Sequence, residues 1–143
     1  MITLPEPAVA LVTAGRVAHL ATADVDGQPL VMPVCYAFDG ARLFSAVDAK
    51  PKRVTARKLR RVRQIEDNPR VSIVVDEYDE DWTRLRYVSI DGVAELLFGG
   101  PEFAHGIDLL LAKYPQYRQM RLDRAEGVLI RITPETVRHW AFA

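Results

Sequence analysis

Apolar residues Ala8, Leu11 and Val12 return at the three-to-four-residue interval of one helix face, and Gly15 follows as a stop, which predicts a short helix over residues 5–13. Residues 16–23 are rich in Val, Leu and Ala, and Asp26-Gly27 after them suits the left-handed backbone of a tight hairpin turn. Residues 30–38 read as the returning strand, Asp39-Gly40 as a second turn and residues 41–47 as a third strand. The opening third of the chain therefore predicts a three-stranded meander.

Beyond Val47 the period lengthens. Leu59, Val62 and Ile65 fall on one side of a helix that Asn68-Pro69 closes. Residues 70–75 are β-branched enough for a buried strand, and residues 84–97 form a longer one in which Asp91-Gly92 marks a bend or bulge. Gly99-Gly100-Pro101 opens a helix with a stripe of Phe103, Ile107, Leu110, Leu111 and Tyr114, which Tyr114-Pro115 ends. Residues 127–132 and 136–142 read as two strands around a turn at Thr133-Pro134. By this reading strands outnumber helices roughly seven to three, and short antiparallel strands in that proportion favour a mainly β fold that closes into a barrel.

A chain of 143 residues has the size of one domain, and no compositional shift suggests a boundary within it. No run of about 18 apolar residues is present to span a bilayer. The first fifteen residues carry Pro5, Glu6 and Pro7 instead of the cationic start of a secretory signal, so a cytoplasmic protein is expected. The lone cysteine, Cys35, lies between Val34 and Tyr36 and is expected at a buried strand position.

Charge changes the picture locally. Lys plus Arg and Asp plus Glu both number 19, so the molecule as a whole has no net field to draw nucleic acid or an anionic membrane. Yet Lys50, Lys52, Arg53, Arg57, Lys58, Arg60, Arg61 and Arg63 follow one another without an acidic residue among them. On a helix, Arg57 with Arg61 and Arg60 with Arg63 are like-charged neighbours, each pair costing a few tenths of a kcal/mol unless an anion compensates. A lysine point charge and an arginine fork can hold a phosphate from two sides, and the alternative is a plain solvated face. Aromatic residues do not alternate with these cations as stacking on bases requires, which argues against nucleic acid.

The acidic run Asp76, Glu77, Asp79, Glu80 and Asp81 ends at Trp82 and lacks the glycine of a calcium loop, so no metal site is expected there. It is instead a candidate to pair with the basic run, within the chain or across a dimer, with Trp82 as a flat surface for a ring. His19, His105 and His139 are scattered without triad or zinc spacing. No glycine-rich phosphate motif occurs, and no protein nucleophile stands out, so any catalysis would be carried by a bound cofactor that the cations help to hold.

The order of these pieces resembles the pyridoxamine 5'-phosphate oxidase-like split β-barrel family, and within it the small deazaflavin-dependent members that use coenzyme F420. The resemblance rests on Arg16-Val-Ala-His-Leu-Ala-Thr-Ala-Asp-Val-Asp-Gly-Gln-Pro with Val31-Met-Pro-Val, then Asp48-Ala-Lys-Pro-Lys-Arg, Leu59-Arg-Arg-Val-Arg-Gln-Ile, Asn68-Pro-Arg-Val-Ser-Ile-Val-Val-Asp, Tyr78-Asp-Glu-Asp-Trp and Asp91-Gly-Val-Ala-Glu-Leu. It implies an FMN-binding-like split barrel working as a homodimer on a small-molecule substrate. Met32, Pro33 and Val34 would border the cofactor ring, with Ser45 and Ala46 flanking it from the next strand. Lys50, Lys52, Arg60, Arg61 and Arg63 would contact the cofactor's anionic groups, and Trp82 would reach the cofactor of the neighbouring subunit. The resemblance implies an F420-dependent oxidoreductase, with an FMN-dependent oxidase or reductase, or a non-catalytic flavin- or deazaflavin-binding protein, as the alternatives, and it names no proton donor.

Overall fold

The computed structural model describes residues 2–47, 59–119 and 127–143. Helix α1 (Glu6–Ala14) is followed by strands β1 (Ala18–Ala23), β2 (Pro29–Val34), β3 (Ala37–Phe38) and β4 (Leu43–Val47). Helix α2 (Arg60–Asp67) leads into β5 (Arg70–Glu77), and a single 3-10 turn at Trp82–Arg84 precedes β6 (Arg86–Leu97). Helices α3 (Pro101–Lys113) and α4 (Gln116–Gln119) then precede β7 (Val128–Ala141). No helix among the described residues is long and apolar enough to cross a membrane.

All seven strands join one antiparallel sheet in the order β2-β1-β5-β6-β7-β4-β3. Its two outer members, β2 and β3, are consecutive in the chain and separated only by Cys35 and Tyr36. The sheet therefore curls round until its edges meet in one bent segment, with β2 paired to β1 and β3 paired to β4. The result is a split barrel. The expected single strand over residues 30–38 is thus corrected to two short ones, and Cys35 sits half-exposed at the bend instead of inside a strand.

The inner face follows from strand alternation. Ala18 and Leu20 on β1, Val71, Ile73 and Val75 on β5, and Val88, Ile90 and Ala94 on β6 form one buried cluster with Leu43 and Val47 of β4 and Ile130 and Ile132 of β7. Helix α1 closes one opening with Ala8, Leu11 and Val12, fixed by the Tyr36 hydroxyl, which donates to the Val12 carbonyl at 2.5 Å. Helix α2 closes the other with Val62 and Ile65, next to the Pro69 carbonyl that accepts from the Ala94 amide at 2.8 Å. Burying two such side chains contributes about 3–6 kcal/mol, which outweighs the like-charge repulsion on the opposite face of α2.

A second cluster lies outside the barrel, where Phe103, Ile107, Leu110 and Tyr114 of α3 cover Phe44, Ala46 and Leu129. The close approach requires Gly106, because a Cβ there would run into Leu129 and stand 2.6 Å from Phe44 Cδ1.

The C-terminal pair of strands around Thr133-Pro134 is corrected to one continuous strand, β7. Pro134 lies opposite Gly92, where the β6–β7 register shifts between Asp91 and Gly92. A proline cannot donate to a sheet ladder, and the bulge expected at Asp91-Gly92 absorbs it, so the chain continues without turning.

Candidate functional site

The split between the two halves of the bent segment brings β2 and β4 together. The Ser45 hydroxyl donates to the Cys35 carbonyl at 2.9 Å, and Val34 packs in the same cluster as Leu43 and Val47, which flank Ser45. Register sorts the residues expected to border a ring. Met32 pairs with Leu20 and Val34 with Ala18, so both take the inner side of the sheet, as Ser45 does opposite Ile130. Pro33, paired with His19, takes the outer side, and Ala46 is buried under α3. Met32, Val34 and Ser45 therefore face the barrel interior, and Pro33 and Ala46 face outward.

Lys50 and Lys52 lie outside the described residues. Of the other expected anion contacts, Arg60 and Arg63 are exposed on α2 and Arg61 is half-buried there. Val47 is buried in the core and Leu59 packs against it. The first turn of α2 is electrostatically unusual, because Leu59 offers no side-chain cap, no acidic residue occupies the first turn, and three arginines crowd the end where the helix dipole is itself positive. Each misplaced cation costs about 0.3–1 kcal/mol, and the first backbone amides lack an intrahelical acceptor. An anion at this turn would relieve all of these at once.

Thr22 and Gln64, neither singled out by the sequence, hold α2 against β1. The Thr22 hydroxyl donates to Gln64 Oε1 at 2.5 Å, with the two residues 3% and 4% exposed. The only sequence signal was a polar residue at a position beside the apolar stripe of a short helix.

Trp82 is 59% exposed on the loop joining β5 to β6. An eight-residue strand, spanning roughly 25 Å, separates this loop from the end of α2. The acidic run therefore cannot pair with α2 inside one chain. Its charges are matched locally instead, Arg86 to Glu77 at 2.9 Å and Arg84 to Asp79 at 3.9 Å, while Asp81 accepts from the Thr83 amide at 3.1 Å and hydroxyl at 2.6 Å.

Two grooves open elsewhere on the sheet, and no residue expected at the site lines either of them. One, of about 370 Å³, is bordered by Ala21, Pro29, Arg70, Ser72, Asp91 and Glu135. The other, of about 460 Å³, is bordered by His19, Val74, Asp76, Tyr87 and Ser89. The outer face also carries the stacked pair Tyr87 and Trp140, with centroids 5.9 Å apart, and exposed Val31.

A further cluster that sequence reasoning missed surrounds the bend. Lys113 Nζ lies 3.9 Å from the centre of the Tyr36 ring, is buried, and finds no hydrogen-bond partner among the described residues. Burial first, and the Arg16 guanidinium second, push its ammonium down to about 8. Burial likewise raises the Tyr36 and Tyr114 phenols.

The model of the pyridoxamine 5'-phosphate oxidase family matches residues 4–141. The chain belongs to that family. Among solved structures, it is 26% identical to the conserved hypothetical protein Rv2991 of Mycobacterium tuberculosis, covering 99% of this chain and 87% of that one with a TM-score of 0.73. It is 27% identical to a FAD-binding protein of Mesorhizobium loti, covering 96% and 95% with a TM-score of 0.72. An F420 reductase shares the fold at 24% identity and a TM-score of 0.62, covering 94% of this chain and 98% of that one. No curated protein matches the sequence.

Proposed function

We propose that this family member is an F420-dependent oxidoreductase of the cytoplasm that reduces a small, electron-poor organic substrate. The observation that carries the reading is the first turn of α2, where the exposed Arg60 and Arg63 stand near the positive end of a helix that has no side-chain cap and no acidic residue in its first turn. The phosphate and the oligoglutamate tail of F420 supply the anionic charge that such a turn lacks. When bound, the reduced deazaflavin supplies the hydride. The β2 segment Met32, Pro33 and Val34 would border its ring with Ser45 and Ala46 of β4 flanking it, and Arg60, Arg61, Arg63, Lys50 and Lys52 would hold its anionic groups.

The proposal includes a homodimer. Trp82 stands at the far end of the barrel from α2, so it can reach a cofactor only in a partner subunit. The outer sheet face with Val31, Tyr87 and Trp140 offers apolar surface for such a pairing. A second reading, a flavin in place of F420, is favoured by the similarity to the FAD-binding protein of Mesorhizobium loti, and FMN has the same kind of phosphate for α2. The test is to purify the protein, record its absorbance for retained flavin, and follow oxidation of reduced F420 with electron-poor acceptors. F420 oxidation that depends on protein and acceptor supports the first reading. Retained FMN or FAD with no F420 turnover replaces it with the second.

A further inference from the structure

We infer that Gln64 is a positioning residue, which, through its hydrogen bond to Thr22, fixes the rotation of α2 and so the direction in which the arginines of that helix point. The inference rests on the anion-binding role proposed for that helix. Helix α2 has little over two turns, and only Val62, Gln64 and Ile65 are buried. Apolar contact is non-directional, so Val62 and Ile65 hold the helix against the barrel without defining its rotation closely. The bond from Thr22 to Gln64 Oε1 is directional, short and shielded from water. A guanidinium rides far from the helix axis, so a rotation of roughly 20° displaces it by on the order of 3 Å, enough to break a hydrogen bond to an oxyanion.

The energetics separate orientation from folding. Removing one partner leaves the other buried and unpaired, whereas replacing both by apolar side chains of similar shape is close to neutral for stability. The pair is therefore dispensable for holding the barrel shut and needed for aiming the cations.

The experiment compares wild type, Thr22→Ser, and the double variant Thr22→Val/Gln64→Met, titrated with F420 and with FMN at several salt concentrations, alongside thermal melts. Wild type and Thr22→Ser are expected to bind alike. The double variant is expected to melt within a few degrees of wild type, to bind about tenfold more weakly, and to show a shallower salt dependence. Equal affinity of the double variant and wild type overturns this inference and leaves the proposed function standing. A double variant that fails to fold also overturns it, by showing the pair to be structural. If wild type binds neither probe, the proposed function falls and this inference with it.

Discussion

Ser45 and Cys35 are joined across the split, the serine hydroxyl donating to the cysteine carbonyl over 2.9 Å, with Ser45 itself only 3% exposed. The bend between β2 and β3 is thereby tied to β4, the strand from which the chain departs toward α2. Ser45→Ala removes the donor and leaves a partly buried carbonyl unpaired. The expected loss is about 1–2 kcal/mol, read as a lower urea midpoint with an unchanged slope.

Gly106→Ala tests the packing of α3. In an exposed helix this change would gain up to about 1 kcal/mol of helix propensity. Here the added methyl meets Leu129 and Phe44, so a net loss of about 1–3 kcal/mol is expected in chemical denaturation. A stabilised variant would mean that α3 can move off β4 and β7 at little cost.

The cations of α2 should trade stability against binding. Arg60→Glu puts a carboxylate into the first turn, where the dipole favours it, and removes a like charge from Arg63. The variant is expected to be as stable as wild type or more so, by up to about 1 kcal/mol, while F420 affinity falls at least tenfold. Thermal melts and fluorescence titration on the same preparation read both quantities.

Lys113 gives the fold a distinct alkaline signature. Its folded value, pushed down to about 8, lies below its ordinary 10.5, so between these values the unfolded chain binds the proton more tightly. The burden of burying the ammonium is present in full below about pH 8, and stability recovers as pH rises from there toward 10.5. Above about pH 10 the raised phenols of Tyr36 and Tyr114 act in the opposite sense, because the unfolded chain then loses protons that the folded one keeps. The stability of wild type relative to Lys113→Met should therefore climb between about pH 8 and 10. A flat difference across that range would mean that the ammonium is solvated.

Much of the fold was legible because period and turn chemistry agree in most segments. Helix α1, the hairpin turn at Asp26-Gly27, the strand from Arg70, the bulge at Asp91-Gly92 and the start of α3 at Pro101 all fall close to where their local signals put them. Two features depend on tertiary pairing and differ from their local signals. The strand over residues 30–38 breaks because its halves pair with different partners, and nothing in its apolar run marks the point of exchange. Thr133-Pro134 carries the local signal of a turn, because a proline usually ends a strand, but the missing donor is absorbed by an irregularity across the sheet at Gly92.

The site was legible in part for a related reason. The run of cations leading into α2 stands out in sequence, since no folding is needed to count charges. The side of the sheet taken by Met32, Pro33, Val34, Ser45 and Ala46 follows only from register, which separates Pro33 and Ala46 from the rest. The Thr22–Gln64 bond spans 42 positions and joins two residue types common on surfaces, so no local pattern announces it.

The first turn of α2 is proposed to bind the anionic groups of a ring-bearing cofactor. Equilibrium titration of purified wild-type protein with F420 at low salt tests it most directly. Micromolar or tighter binding is expected, weakening as salt is added and falling at least tenfold in Arg60→Glu. Absence of binding at low salt, or binding indifferent to both salt and that substitution, would contradict the proposal.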